Sequence, residues 1–184
     1  IEDTADSGKL KERYNGSGAT VRGFNVEGRA AFTRWFELQA GVTLQQSRYK
    51  EPEFWSEDAE VPPVRRMFRT PDAYGYFTAS FKPVRNFTAD LSGTCTGSML
   101  VQHMAGSGVA QDVAVSTPSF FDMNIRLSYD VRIYKEITMQ LYGGVQNLFN
   151  AYQKDFDKGV DRDSGYIYGP SLPRSWFVGA KFSF

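Results

Sequence analysis

The sequence has 184 residues, with 21 basic and 21 acidic side chains, so its formal net charge is zero. Because the charge is balanced and no basic run occurs, nothing indicates a nucleic-acid partner, and we exclude that class. Aromatic residues make up 15% of the chain and glycine occurs 17 times, a composition that favours strands and tight turns over a helical bundle. At this length we expect one domain, residues 1–184.

Membrane helices and disulfides are both disfavoured. No run of about 18 apolar residues occurs, so the sequence predicts no transmembrane helix. The mean hydropathy of −0.41 is compatible with a membrane barrel, because half of the residues in such strands are polar. The sequence begins at Ile1 without an initiator methionine, and we expect a processed product or a piece of a longer protein. The single cysteine, Cys95, cannot form an internal disulfide, which disfavours a secreted module.

Seven segments alternate apolar and polar residues with the period of a β-strand. In chain order they are 24–32, 36–44, 73–81, 87–95, 121–133, 137–145 and 176–184. A tilted membrane strand needs about 9 to 11 residues, whereas strands of globular proteins usually have about 5 or 6. The length of these segments therefore favours strands that cross a membrane.

Charge is confined to one side of every predicted strand. The charged residues lie opposite the apolar stripe and are Glu27, Arg29, Glu37, Asp90, Asp122, Arg126, Asp130, Arg132 and Lys181. A Lys or Arg that faces lipid at the middle of a membrane costs about 2 to 4 kcal/mol. The asymmetry therefore indicates that the apolar stripes contact lipid. A soluble β-sandwich binding module, whose core would also exclude charge, is the alternative outside a membrane.

Short and long connections alternate between the predicted strands. The short connections are 34–35, 83–85 and 135–136, and the long polar loops are 47–72, 102–119 and 151–172. Bacterial outer-membrane barrels have short periplasmic turns and long extracellular loops. The sequence thus predicts an all-β fold, an antiparallel transmembrane β-barrel segment of about seven long meander strands.

Seven strands cannot close a barrel of the even-numbered antiparallel kind. We therefore expect further strands upstream of the sequence. A short eighth strand at 9–14 would instead permit a small closed barrel, which is the second architecture considered.

Three stretches of the sequence are distinctive. They are RRMFRTPDAYGYF at 65–77, TPSFFDMNIRLSYDV at 117–131 and VQNLFNAYQKDFDKGVDRDSGYIYGPSLPRSWFVGAKFSF at 145–184. Together they resemble the C-terminal part of the barrel of TonB-dependent outer-membrane receptors, in a Bacteroidetes-like form. The resemblance implies the last strands of a 22-stranded plugged barrel. It also implies import of a scarce nutrient (ferric siderophore, haem, cobalamin or a glycan) that binds at the extracellular loops and is driven by TonB-coupled energy.

The same resemblance implies a location and a set of partners. The location is the outer membrane of a Gram-negative cell. The partners are the lipid bilayer, the plug domain of the same receptor, TonB through an N-terminal region, the outer-membrane insertion machinery and, in some members, a surface lipoprotein lid. The sequence includes neither a plug nor a TonB box, so we expect both to be encoded upstream. A passive structural or adhesive small barrel, which needs no plug, is the alternative function.

Aromatic residues in the long loops are the candidate ligand contacts, because exposed rings stack on corrins, porphyrins, catecholates and sugars. They are Tyr49, Phe54, Trp55, Phe156, Tyr166 and Tyr168. For Tyr166 and Tyr168 we favour loop packing, since their segment resembles a general feature of the family.

Other residues receive roles within the barrel. Polar-face residues of the fifth predicted strand are expected to line the lumen and face the plug: Asp122, Arg126, Asp130 and Arg132. The resemblance implies that Gly179, Phe182 and Phe184 belong to the C-terminal assembly signal, whereas Phe177 stands where that signal usually has a polar residue.

Metal binding and catalysis are disfavoured. One loop contains four acidic residues at spacings that could hold calcium: Asp155, Asp157, Asp161 and Asp163. The closing bidentate Glu of a calcium loop is missing, so we expect these carboxylates to stabilise the loop. His103 lies near two methionines and is expected to be a solvated rim residue and not a metal ligand. No catalytic triad, H-E-x-x-H motif or phosphate loop occurs, so we expect neither enzyme activity nor a cofactor.

Overall fold

The computed structural model of the chain describes residues 2–4, 9–11, 16–170 and 172–184. These residues form β1 Glu2–Thr4, β2 Lys9–Lys11, β3 Ala19–Thr33, β4 Phe36–Glu53, β5 Val64–Arg66, β6 Ala73–Val84, β7 Phe87–Thr96, β8 Leu100–His103, β9 Val113–Ser116, β10 Phe120–Tyr134, β11 Ile137–Gln146 and β12 Ser175–Ser183. Among the residues described, no helix is long and apolar enough to cross a membrane.

The seven long strands form one antiparallel sheet. Its strand order is β12-β11-β10-β7-β6-β4-β3, so every long strand pairs with the next long strand along the chain. The short strand β5 adds to β4 beyond this path, and β8 and β9 pair as a separate hairpin. β3 and β12 are the two edges, so the sheet is not closed in this chain. The prediction of seven long antiparallel meander strands is confirmed.

Two-residue turns connect the strand pairs at one end of the sheet, which we call the turn end. These turns are 34–35, 85–86 and 135–136. We call the opposite end of the sheet, where the long loops begin, the loop end. The second turn differs from the predicted 83–85, because Val84 still pairs with Phe87 and extends β6. Two-residue loops fit the natural twist of a hairpin, which explains the shift.

The eighth strand predicted at 9–14 does not join the large sheet. Lys9–Lys11 forms β2, which pairs antiparallel with β1 in a two-stranded sheet of its own. Residues 12–14 of that prediction lie outside the described residues. The structure therefore gives no support to a small closed barrel built on this strand.

Strand register aligns the apolar stripes side by side. One row of directly paired residues crosses all seven long strands: Ala30, Leu38, Ala79, Leu91, Ile125, Val145 and Trp176. The adjacent row on the other face contains Glu37, Ser80, Asp90 and Arg126 in the same pairing order. Because side chains alternate between faces, this register separates an apolar face from a polar face across the whole sheet.

Large side chains of the apolar face are exposed. Phe24 is 59% exposed, Leu127 43%, Leu141 45% and Val178 90%. A β-sandwich would bury these side chains against a second sheet, whereas the described strands make a single layer. The arrangement disagrees with the sandwich alternative and is typical of a barrel wall that contacts lipid.

Side chains of the polar face bond to one another across strands. Arg126 Nη2 donates to Gln140 Oε1 at 3.3 Å, and Gln140 Nε2 donates to Asp130 Oδ1 at 2.9 Å. The guanidinium carbon of Arg126 lies 4.5 Å from the centre of the Tyr142 ring. These contacts tie β10 to β11 and keep their charges on the polar face of the sheet.

Glycines lie beneath aromatic rings at two places on β11 and β12. Gly179 pairs with Tyr142, and a methyl group at Gly179 would lie 2.5 Å from the Tyr142 hydroxyl oxygen. Gly144 pairs with Phe177, and a methyl group there would lie 2.7 Å from Cζ of Phe177. Rings that fold over a paired glycine bury apolar surface within the sheet. This packing explains why an aromatic residue stands at 177, on an otherwise polar face.

Arginine substitutions on the two faces test the face assignment. Leu127 is on the apolar face of β10, and Thr78 is exposed on the polar face of β6. We expect Leu127→Arg to prevent membrane assembly of the full-length protein, because arginine facing hydrocarbon costs about 2 to 4 kcal/mol. Thr78→Arg should assemble normally. The amount of folded protein extracted from membranes measures both, and equal tolerance of the two substitutions would contradict the assignment.

Candidate functional site

Three long loops meet at the loop end of the sheet. The first loop is 54–72, the second is 97–119 and contains the β8–β9 hairpin, and the third is 147–174. The third loop follows β11 and returns to β12, so it is attached to the edge of the sheet, while the other two rise from its middle. The candidate site is built from contacts among these three loops.

Arg69 of the first loop bonds to both other loops. Its backbone N–H donates to the carbonyl of Leu100 at 2.7 Å, and its φ is +56°. Its guanidinium donates through Nη1 to the carbonyl of Ile167 at 2.8 Å and through Nη2 to the carbonyl of Gly165. One arginine thus holds the third loop against the first by charge-assisted hydrogen bonds.

Asp112 links the first loop to the second. The Ser56 hydroxyl donates to Asp112 Oδ2 at 2.6 Å, and the N–H of Ala105 donates to Asp112 Oδ1 at 2.7 Å. Both hydrogen bonds lower the pKa of the Asp112 carboxyl, and the bond from Ser56 has the larger effect. The carboxylate therefore stays ionised and keeps both loops joined.

His103 joins the second loop to the third and is buried. Its Nε2 lies 3.0 Å from Asp157 Oδ1, and its ring stacks on Tyr166 with 3.7 Å between ring centres. His103 is only 6% exposed and Tyr166 only 2%. The expectation of a solvated rim histidine is wrong, because Tyr166 covers the ring and Asp157 satisfies its nitrogen. The hydrogen bond from the N–H of Asp163, followed by that from His103, lowers the pKa of Asp157.

Tyr166 and Tyr168 share one carboxylate. Their hydroxyls donate to Asp155 at 3.0 Å and 2.5 Å. Partial burial opposes ionisation of Asp155, but the hydrogen bonds from Tyr168 and Tyr166 lower its pKa overall. Burial, and after it the hydrogen bond to Asp155, raises the pKa of Tyr166 to about 12. The same two causes raise the pKa of Tyr168. Buried Gln153 adds bonds to the backbone of both tyrosines. The structure thus places both rings in loop packing.

The four acidic residues of the third loop bond to loop donors and do not converge on one point. Asp163 accepts from the N–H groups of Gly165 and Met104, both at 2.8 Å. Asp161 contributes its carbonyl, which accepts from the N–H of Ser107 at 2.9 Å. Within the described part of the chain, no three His, Cys, Asp or Glu side chains are grouped as a metal site. The carboxylates of Asp155, Asp157 and Asp163, and the carbonyl of Asp161, order the loop.

A cleft of about 630 Å³ opens within the third loop. Phe156, Tyr166 and Ile167 form part of its wall, and Arg162 brings a cation to it. The Arg162 guanidinium donates to the carbonyl of Gly159 at 2.9 Å. Phe156 is 47% exposed, so its ring is open to a ligand. Asp157 and Asp163 also line the cleft, and their carboxylates accept hydrogen bonds from loop groups. Aromatic walls beside a guanidinium can hold a ligand with aromatic groups.

The other aromatic candidates lie away from this cleft. Trp55 donates its Nε1 hydrogen to the carbonyl of Pro62 at 3.3 Å and packs edge-on against Phe68 in the first loop. Phe54 is 73% exposed, and Tyr49 lies on β4 opposite Ala19. The six residues predicted from the sequence therefore do not form one site.

A smaller cavity of about 260 Å³ lies where the third loop meets the polar face. Tyr168 and Asp122 both line it, and Tyr168 packs near Phe120 of β10. Asp122 Oδ1 is buried without a hydrogen-bond partner among the described residues. The remaining lumen candidates, Arg126, Asp130 and Arg132, share this face of β10 nearer the turn end.

Some functional positions have no local signal in the sequence. In the sequence, Arg69 and Arg162 are ordinary loop arginines. Arg69 bonds to the carbonyl of Ile167 in another loop, and Arg162 bonds to the backbone of its own loop. The candidates for the assembly signal lie at the end of the chain, with Gly179 and Phe182 on β12 and Phe184 after it. Phe184 is 93% exposed.

The fold defines a class, an antiparallel β-barrel wall with short turns at one end and long loops at the other. Two solved structures are similar to this chain. The ferric-catecholate import receptor Fiu from E. coli K12, in its closed form, is 20% identical, with a TM-score of 0.63 over 97% of this chain and 22% of that chain. The siderophore receptor PiuA from Acinetobacter baumannii is 18% identical, with a TM-score of 0.59 over 88% of this chain and 21% of that chain.

These similarities establish the fold. The chain has the fold of a barrel segment of TonB-dependent siderophore receptors, as the sequence resemblance implied. It spans about a fifth of the length of the receptors that it matches. One of those proteins is an import receptor and the other a siderophore receptor, and the non-enzymatic function and outer-membrane location expected from the sequence stay predictions for this chain. Neither a family model nor a curated protein matches the sequence.

Removing the His103 contact tests how the second and third loops are joined. We expect His103→Ala and Asp157→Ala each to raise hydrogen exchange in 151–170 several-fold, because each leaves a buried polar group without its partner. The double variant should add little to either single variant. Lys158→Ala is the matched control, since the hydrogen bond from the Ser107 hydroxyl goes to the backbone carbonyl of Lys158. Additive effects of the two substitutions would contradict a direct contact.

The loop contacts should be stable only within a window of pH. Asp155 and Asp157 have pKa values below the ordinary 3.8. Their contribution to the stability of the folded loops is therefore complete above pH 3.8, and it is lost as the pH falls through the lowered values. Tyr166 has a pKa raised from 10.0 to about 12, so its contribution is complete below pH 10 and is lost as pH rises through 12.

Tyrosinate absorbance at 295 nm measures the alkaline limit. A titration step near pH 12 should disappear in Tyr166→Phe and persist in the control Tyr134→Phe, whose ring lies at the turn end. A Tyr166 that titrates near pH 10 would contradict its burial beside Asp155.

Proposed function

We propose that this chain is the C-terminal barrel part of a TonB-dependent receptor in a Gram-negative outer membrane. The observation that supports the proposal most is the single-layer sheet with an exposed apolar face and a bonded polar face, in the fold of two siderophore receptors. Such a sheet is suited to lipid on one side and to a polar lumen on the other. The complete receptor would take up its ligand at the loop end.

The proposed ligand is a ferric siderophore, and an aromatic, anionic one such as a ferric catecholate fits best. Both similar structures are siderophore receptors, and one is named for ferric catecholates. The cleft of the third loop combines the exposed ring of Phe156 with the guanidinium of Arg162. Rings stack on catechol groups and a guanidinium attracts their negative charge. Haem, cobalamin and glycans lack a comparable supporting observation.

The proposal includes partners outside this chain. The polar face of β10 would meet a plug domain, and Asp122 has a buried oxygen available to a donor from it. TonB would act through an N-terminal region, and the outer-membrane insertion machinery would recognise the segment that contains Gly179, Phe182 and Phe184. A surface lipoprotein lid of the Bacteroidetes kind would cover the loop end.

Growth under iron limitation tests the proposed transport. Cells without their own siderophore receptors, supplied with the full-length protein, should grow on a ferric catecholate and should fail to grow when TonB is deleted. Phe156→Ala combined with Arg162→Gln should raise the ligand concentration needed for growth roughly ten-fold or more, since a stacking contact and a charged contact are both lost. Phe54→Ala, an exposed ring outside the cleft, is the control.

Three outcomes distinguish the possibilities. Growth on haem, cobalamin or a glycan alone would contradict the proposed ligand and would still support the proposed transport function. Growth that does not require TonB would contradict active transport and favour a passive barrel. Equal effects of the cleft variant and of Phe54→Ala would contradict the assignment of the cleft.

A further inference from the structure

Three cations continue the apolar stripe of the β3–β4 hairpin beyond its last large apolar pair. Phe24 pairs with Leu44, and the next pairs on the same face are Arg22 with Gln46 and Thr20 with Arg48. The ladder goes on with the N–H of Lys50, which donates to the carbonyl of Gly18 at 3.0 Å. Because alternate residues share a face, Arg22, Arg48 and Lys50 lie on the apolar face of the sheet. We call these three residues the cationic strip.

In the proposed membrane placement, the cationic strip lies at the height of lipid headgroups. A strand rises about 3.4 Å per residue, so Arg22 is roughly 7 Å beyond Phe24 and Lys50 is roughly 20 Å beyond Leu44 along the strand. With a tilt of about 40°, these lengths correspond to roughly 5 Å and 15 Å above the apolar belt. Headgroups begin where the hydrocarbon ends. Long side chains there can rest their stems on apolar surface and extend their charged ends to headgroup oxygens.

The strip is not neutralised within the part of the chain that the structure describes. Its three side chains have no carboxylate partner there, and Arg22 and Lys50 are exposed. By contrast, the neighbouring Arg66 of β5 pairs with Asp72 at 3.1 Å, and Arg29 on the polar face pairs with Glu37. The strip therefore has three positive charges directly above apolar side chains, the pattern that phosphate-bearing lipids match.

We propose that the cationic strip binds the phosphate groups of anionic lipids in the outer leaflet of the membrane. The guanidinium groups of Arg22 and Arg48 bind phosphate oxygens through paired N–H donors, and Lys50 adds a point charge farther out. Acyl chains of the same lipid pack on Phe24 and Leu44 below. The inference rests on the membrane placement in the proposed function, and it adds a lipid site that is separate from the ligand cleft.

Binding of diphosphoryl lipid A to the purified full-length receptor tests the inference. The receptor is placed in nanodiscs with this lipid or with its dephosphorylated form, and the bound lipid is counted by native mass spectrometry. The test variant combines Arg22→Gln, Arg48→Gln and Lys50→Gln. The matched control combines Arg34→Gln, Arg85→Gln and Lys135→Gln, which removes the same charge from the turn end.

We expect the unmodified receptor to bind more of the diphosphoryl lipid than of the dephosphorylated lipid. In the test variant, the ratio of the two bound amounts should fall by at least ten-fold. A single cation near a charged surface changes binding by about five-fold, so Arg22→Gln and Arg48→Gln alone should each show about that loss. Arg22→Lys with Arg48→Lys should retain most of the preference. The control should bind as the unmodified receptor does.

Several results would overturn the inference. They are equal binding of the two lipids by the unmodified receptor, undiminished binding in the test variant, and an equal loss in the control. If the triple variant does not assemble, undiminished binding in both single variants overturns the inference as well. A receptor that stays in solution without detergent would instead refute the membrane placement, so the two failures can be told apart.

Discussion

A single-layer sheet has no core of its own, so each of its faces has to match the medium that it contacts. In this chain one face presents large exposed apolar side chains from β3, β4, β10, β11 and β12, and the other face collects the charges of the long strands apart from the cationic strip. Direct pairing between strands keeps the two sets apart, because a slip of one residue would exchange the faces of a whole strand. The register is therefore the constraint on which the membrane placement, the polar lumen and the cationic strip all depend.

Strands, faces and turns could be predicted from the sequence, since each is encoded by neighbours within about ten residues. The alternation from Phe121 to Ile133 predicts both the extent and the face of β10, and the structure agrees. The turn before Phe87 begins two residues later than predicted, because the register shifts between Phe81 and Val84 and only the pairing of Val84 with Phe87 shows where the hairpin closes. An aromatic at 177 conflicts with the polar face until its paired residue, Gly144, is known.

The loop contacts could not be predicted in the same way. His103 and Asp157 are 54 positions apart, and Arg69 and Ile167 are 98 apart, so no local pattern connects them. A lone histidine in a polar loop is statistically a solvated one, and what buries His103 is the ring of Tyr166 from another loop. Only the meander order of the sheet, which brings the loops to one end, makes such contacts possible.

The distribution of hydrogen bonds explains how an acidic loop can present a site for an anion. Asp155, Asp157 and Asp163 direct their carboxylates at hydroxyl, imidazole and N–H donors of the loops, so these oxygens are occupied by partners within the loops. Arg162, in contrast, bonds to the neutral carbonyl of Gly159 and keeps its charge available at the cleft. The carboxylate oxygens are therefore already used within the loops, whereas the Arg162 guanidinium has further N–H donors beyond the one that bonds to Gly159. The same reasoning holds at the edge of the sheet, where Arg66 is paired with Asp72 and the cationic strip beside it is not.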